Sequence, residues 1–359
     1  MHDPNQSFIS CVRRGGGLRE SLRERLILVA LLVLPAFFFW HLAIDWSHSV
    51  SIPQDRTFAG PTLDSIHAQN VKTLTALYAA YGYHWPPHRL VPAIDVNHLP
   101  EGLSALPVHQ KKVLFLKTLL PIILAANQKI SRERRFLIRL FAAYRRPGRK
   151  VQPKSWALAR EIEAQYRVSG SLTQSAVQAR LLKRVDVVPA ILALAQAAKE
   201  SGWGTSRFAL RGNDLFGMWT DNPFLGMVPR ALRGDPTHFV RVFANIRSSV
   251  RHYLKAINTR RPFAPFRAIR ARMRLVRAPL NPELLAQGLD LYSQQGQDYV
   301  LSIQQMLPTL DRSAHLGRLA LVSPRVLADL IVEKRGRIIG TKPASLTRVA
   351  MVRIHHPKS

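Results

Sequence analysis

The stretch from Val188 to Trp219, VPAILALAQAAKESGWGTSRFALRGNDLFGMW, constrains this chain more than any other. Ile191, Leu194, Ala195 and Ala198 recur at helical spacing and mark a stripe facing a core. Alanines 193, 195, 197 and 198 let neighbouring elements approach closely. Asp186 suits a helix cap and Pro189 the first turn. Gly202 and Gly204 stop the helix just beyond Glu200. A carboxyl at a helix C-terminus meets the negative end of the dipole, and Trp203 beside it adds desolvation. Both disfavour the charged form, as a general acid working near neutral pH requires. An ordinary glutamate on an exposed helix end fits the same local pattern, so residue types alone leave both readings open.

The second constraint is Leu26 to Ile44, LILVALLVLPAFFFWHLAI, which holds no formal charge. Nineteen helical residues span about 28 Å, close to a bilayer's hydrocarbon core. Arg13, Arg14, Arg19, Arg23 and Arg25 precede the run and little positive charge follows before Arg56, so residues 1–25 read as cytoplasmic. Residues 26–44 then read as an uncleaved single-pass anchor; a cleaved signal peptide is the rival, against which stand the length of the run and the poor cleavage site at His41 to Asp45. Residues 45–62 read as a linker. Cys11 is the lone cysteine, which excludes an intramolecular disulfide and a cysteine-rich zinc site.

Residues 63–150 read as a helical region: a helix over 63–81, a proline-rich loop over 82–107, and a long helix over 110–146 that Pro121 kinks or divides. His84, His88 and His98 fall in the loop, where Pro86 and Pro87 break the helix that would align the first two for a metal. Further helices are expected over Trp156–Tyr166 and Leu172–Val185. Residues 313–359 form a basic tail, read as a helix followed by a loosely ordered end.

Taken whole, Glu200-Ser201-Gly202-Trp203-Gly204, then Ser206, Phe208 and Ala209, then Gly212-Asn213-Asp214-Leu215-Phe216-Gly217, resembles the signature of glycoside hydrolase family 73. These are bacterial beta-N-acetylglucosaminidases with a lysozyme-like fold. The pattern is most similar to the Bax family of glucosaminidase-domain proteins. Leu119 to Leu124 with Ala126-Asn127 and Glu133-Arg134, Ser248 to Asn258 with Phe263 and Phe266, and Leu285 to Leu289 with Tyr292-Ser293 and Tyr299-Val300 extend it over roughly residues 110–310. The resemblance implies a mainly helical α+β fold with a small β lobe at about 218–245, in a glucosaminidase domain at 151–312. It implies Glu200 as proton donor, with Tyr253 across the groove and Asp235 as a candidate second carboxylate. Trp203, Phe216, Asn213 and Trp219 would form the substrate-binding set. The substrate implied is peptidoglycan glycan, cut after N-acetylglucosamine in the periplasm, with no metal or organic cofactor.

The chain departs from that pattern in two places. His238-Phe239-Val240-Arg241-Val242-Phe243 lacks the acid expected ahead of its Val-x-x-Phe stretch, and no cysteine pair lies around Thr220 to Gly226. Three options follow: Asp235 or Asp221 acts as base, the substrate's N-acetyl group assists, or a glycan-binding domain without activity remains. A lytic transglycosylase is the rival enzyme, but its Gly-leading-to-Met-Gln segment is absent. The formal net charge of +30 suits nucleic acid, an anionic bilayer or a cell wall. No helix-turn-helix, zinc finger or RNA-binding signature accompanies it, which argues against nucleic acid.

Overall fold

A helix apolar on every side needs packed neighbours on every side, and the alanine-rich segment ending at Glu200 is the centre of the fold. In a computed structural model, residues 61–87, 89–148, 150–229, 238–314 and 319–329 are described. The expected cytoplasmic segment, the anchor at 26–44 and most of the basic tail lie outside the described residues. The element order is β1 (Asp64–Ile66), α1 (Val71–Ala80), β2 (Leu90–Pro92), β3 (Ile94–Val96), α2 (Val108–Tyr144), α3 (Pro153–Gln165), α4 (Ser175–Arg184), α5 (Ala190–Ser201) and α6 (Arg207–Gly212). It continues with β4 (Trp219–Thr220), β5 (Gly226–Met227), β6 (Phe239–Arg241), α7 (Ile246–Thr259), α8 (Ala264–Leu275), α9 (Pro282–Ala286), α10 (Gln297–Ala314) and β7 (Ala320–Val322). The architecture is mainly helical α+β.

Every residue of α5 from Ile191 to Ala198 is buried. It packs against α2 and α10, and α2 also contacts α7. Residues 63–150 therefore share a core with the segment that follows, and the sequence-based boundary at 150 does not separate two cores. Helix α2 runs unbroken through Pro121, not divided there as the proline suggests. Its apolar face is held by α5 and α7, and that packing outweighs one lost backbone bond. By length and composition α2 could cross a membrane, yet 61% of its apolar window is buried within the protein.

Three short strands form an antiparallel lobe in the order β4-β6-β5, with Trp219 opposite Val240 and Gly226 opposite Arg241. This is the small lobe expected at about 218–245. Two parallel pairs were not expected. β1 lies beside β3, and β7, from the basic tail, lies beside β2 with Leu90 opposite Ala320. In the proline-rich loop, Val91, Ile94 and Val96 are buried, so those residues act as core strands.

The approach to α5 is fixed by a buried anion. Asp186 does not cap the helix, where Pro189 stands without a side-chain bond. Its carboxylate instead accepts from Arg274 Nε and Nη2, both at 2.9 Å, with Arg134 at 3.6 Å and Arg270 at 4.0 Å. Burial alone would raise its pKa, but the Arg274 hydrogen bonds and the three guanidinium charges hold it below the ordinary carboxylate value. Arg270, 1% exposed, donates to the carbonyls of Lys183, Asp186 and Val187 and to Asn258 Oδ1. One guanidinium thus joins α4, the segment leading into α5, and α7.

Replacing Asp186 with Asn is expected to destabilise the fold by about 3 kcal/mol, because buried Arg270 loses its counter-charge. The urea midpoint should fall with an unchanged slope. A lowered folded-state pKa contributes stability above the unfolded value and loses it as pH falls. The gap between the two proteins should therefore narrow below about pH 4.

Candidate active site

Glu200 is half-buried in the last turn of α5. Gly202 ends the helix in the left-handed conformation (φ 58°), its N–H returning to the Ala198 carbonyl. Ser201 locks the turn: its hydroxyl donates to Ala197 O at 2.6 Å and accepts from Gly204 N at 2.8 Å. A Cβ at Gly204 would stand 2.8 Å from Leu99 and 2.9 Å from Phe115, so the chain needs glycine where it passes α2. Trp203, also left-handed at φ 59°, sets its ring edge-on to Phe115 with Lys112 Nζ 4.8 Å above it.

The facing wall is the turn from Asn213 to Met218. Asn213 closes α6 in the left-handed region, donates to Phe243 O at 2.9 Å and pairs with His98 Nδ1 at 3.1 Å. Asp214 is buried, and its carboxylate accepts from Phe216 N at 3.1 Å, Met218 N at 2.7 Å and also Gly217 N. These bonds draw the turn around Gly217 (φ 61°), where a Cβ would lie 2.9 Å from Glu200 Oε2. The glycine makes room for the carboxyl.

Behind Glu200 lies a chain of tyrosines. Tyr299 donates to the carboxyl, as its pKa and that of Glu200 both register. Gln196 Nε2 donates to Tyr299 OH at 3.0 Å, and Tyr253 OH donates to Gln196 Oε1 at 2.6 Å. Tyr292 stacks on Tyr299 at 5.2 Å and donates to Phe216 O at 2.7 Å. Burial raises all three tyrosine pKa values, so these hydroxyls stay protonated. Burial likewise raises Glu200, with the Tyr299 bond and Lys199 charge opposing it. Asp214 is pushed up to about 7 by burial, against its backbone donors and with the Glu200 charge adding to the rise.

The sequence-derived residues divide between surface and interior. Glu200 and Trp203 both lie where α5 ends, with Gly217 against the Glu200 carboxyl. Trp219 stands on β4 and is 48% exposed. Phe216 and Tyr253 are both fully buried and stacked face to face at 4.0 Å, so neither presents a free face to a sugar as the sequence reading has it. Asn213 commits both ends of its amide to the protein. Asp221 is exposed and pairs with His238 at 2.8 Å, while Asp235 lies outside the described residues. Among the described residues no group of three His, Cys, Asp or Glu gathers to hold a metal.

Asp214 forms the turn that its place beside Asn213 suggests, whereas two participants escaped sequence reasoning: Gln196 as a relay and Tyr299 as a donor to Glu200. Gln196 sits one helical turn before Glu200, a spacing that places both on one side of α5. Tyr299 comes from about a hundred residues downstream, and only the resemblance in the closing segment marked it.

Comparison with known proteins identifies the family. The Glucosaminidase family model, described as mannosyl-glycoprotein endo-beta-N-acetylglucosaminidase, matches residues 176–310. Protein bax of Escherichia coli (strain K12) is 30% identical over 206 residues, covering 57% of this chain and 69% of that protein. No solved structure matches the chain significantly. The matched segment runs from α4 through α10 and contains Glu200, the Asp214 turn and the tyrosine chain. The chain is a member of the Bax-like family of glucosaminidase-domain proteins.

Proposed function

We propose that the protein is a peptidoglycan hydrolase, an endo-beta-N-acetylglucosaminidase that cuts glycan strands after N-acetylglucosamine, with Glu200 as general acid. One observation carries this proposal: a half-buried carboxyl whose proton affinity burial raises, bonded by a neutral tyrosine and seated over a glycine. The protonated carboxyl gives its proton to the leaving glycosidic oxygen as positive charge develops at the anomeric carbon. The carboxylate left behind accepts the Tyr299 hydrogen bond, which stabilises it after transfer. Trp203 and Trp219 supply aromatic surface for sugar rings. The uncharged run Leu26–Ile44 behind its arginines supports a reading in which the chain is anchored in the bacterial inner membrane with this domain in the periplasm.

Asp214 is unsuited to activating water, because backbone N–H groups enclose its carboxylate. Asp221, Asp235 and the substrate's own acetamido group remain as the second group. Anomeric configuration separates them: inversion demands a base across the ring, and retention favours the acetamido group in the absence of a carboxylate nucleophile.

Digestion of purified peptidoglycan tests the proposal. The wild type should release fragments ending in reducing N-acetylglucosamine, and Glu200→Gln should lower the rate by about 10³-fold. Anhydro ends would make the enzyme a lytic transglycosylase, and pull-down without products would make it a binding domain. Gly217→Ala should cost about 10²-fold in kcat/KM by displacing the Glu200 carboxyl, and about 1 kcal/mol of stability from its left-handed backbone. Because the acid must be protonated, kcat/KM should fall as pH rises through the raised Glu200 pKa. The Glu200 charge adds to the rise at Asp214, so Glu200→Gln should move the ionisation of Asp214 to lower pH, read by carboxyl titration in NMR spectra.

A further inference from the structure

Between Asp235 and Glu283 the chain carries eleven Arg and Lys and no acidic residue. That stretch builds β6, α7 and α8, and the fold adds further cations to its outer side. Around His252 on α7 stand Arg241 from β6, Lys255 and Arg260 at the end of α7, and Arg167 from the turn after α3. Arg180 and Arg184 of α4 continue the cluster beyond Arg167. Hydrogen bonds fix this arrangement: Arg184 donates to the carbonyls of Tyr166 and Arg167, Arg180 to Ser169 O, and Arg260 pairs with His252 Nε2.

Like charges held together without anions cost energy, and the groups register it. His252 is pushed down to about 4 by burial and by these four cations, and Arg184 is depressed by burial and by Arg180 and Arg167. Glu163 brings a carboxylate near Arg180 without forming an ion pair with it. Among the described residues none of Arg167, Arg180, Lys255 and Arg260 forms an ion pair, and all four are exposed. Asp186 neutralises only the inner arginines 134, 270 and 274.

We propose that this face, built around Arg167, Arg180, Lys255 and Arg260, docks on an anionic phospholipid bilayer. Guanidinium groups match phosphate geometry with paired donors, and a fixed cluster loses little side-chain entropy on contact. The nearby sequence supplies the bilayer: residues 45–62 extend at most about 60 Å from the expected anchor, so headgroups stay within reach. Each cation near an anionic surface adds attraction that falls within one screening length. The inference concerns a face formed by α4 and α7 and does not depend on the glycosidase reading.

The full chain, reconstituted in vesicles of phosphatidylcholine alone or with one third phosphatidylglycerol, tests it by lysine acetylation read by mass spectrometry. Lys255 should react about threefold more slowly in the anionic vesicles, while Lys72 on α1 serves as the internal reference. About 0.5 M salt should restore the rate in the unaltered protein, independently of any variant. Charge reversal by Arg167→Glu with Arg260→Glu should abolish the difference. Equal rates in both vesicles, protection that survives the reversal, or protection by soluble polyphosphate but not by anionic vesicles would each overturn the proposal.

Discussion

The buried Asp186 carboxylate is the interaction on which the rest of the structure turns. It sits at the entrance to α5, and the three guanidinium groups around it come from α2 and α8. A charge taken out of water is costly unless paired and hydrogen-bonded, and this one receives two direct bonds from Arg274. Arg270, enclosed in turn, uses its remaining donors on carbonyls at the end of α4 and in the segment that leads into α5. The consequence is positional. Helix α5 enters the core at one fixed place, so its far end, twelve residues of rigid helix later, delivers Glu200 to a defined point.

At that far end the same economy of buried polar groups operates. Gln196, Tyr253 and Tyr299 link hydrogen bond to hydrogen bond up to Glu200, and Tyr292 ties Phe216 to the same cluster. The Asp214 carboxylate gathers the opposing turn by its backbone N–H groups. Such networks hold a carboxyl's position while leaving its proton affinity to burial, which here prevails over the Tyr299 bond. The two buried carboxyls therefore have separate duties. Asp214 shapes a turn, and Glu200, half-buried beside it, meets solvent.

Charge is distributed by the same logic. Inner arginines are matched to Asp186 and to carbonyl oxygens, so their cost is met inside the fold. Cations on the outer side of α4 and α7 bond carbonyl oxygens but have no carboxylate in an ion pair among the described residues, and they add to the burial that lowers the His252 pKa. A net charge of +30 is thus partly structural and partly concentrated on one face.

Much of the site was written in local sequence. The alanine-rich helix, its stop at Gly202 and the position of Glu200 follow from spacing and from the conformational freedom of glycine, which act over a few residues. The family resemblance was legible because its motif is contiguous, and the small β lobe only through that resemblance. Phe216 and Tyr253 show the limit: an aromatic's type does not say which face it turns, and tertiary packing stacked these two against each other. Asp186 has the composition of a helix cap, yet arginines up to 88 residues away claimed it. Tyr299, the pairing of β7 with β2, and the continuation of α2 past Pro121 likewise rest on partners distant in the chain. Sequence determined where the helix carrying the acid begins and ends, because those signals are local. Only tertiary structure decided what surrounds the acid, because its burial, its hydrogen bonds and its neighbouring charge arise where separate segments meet.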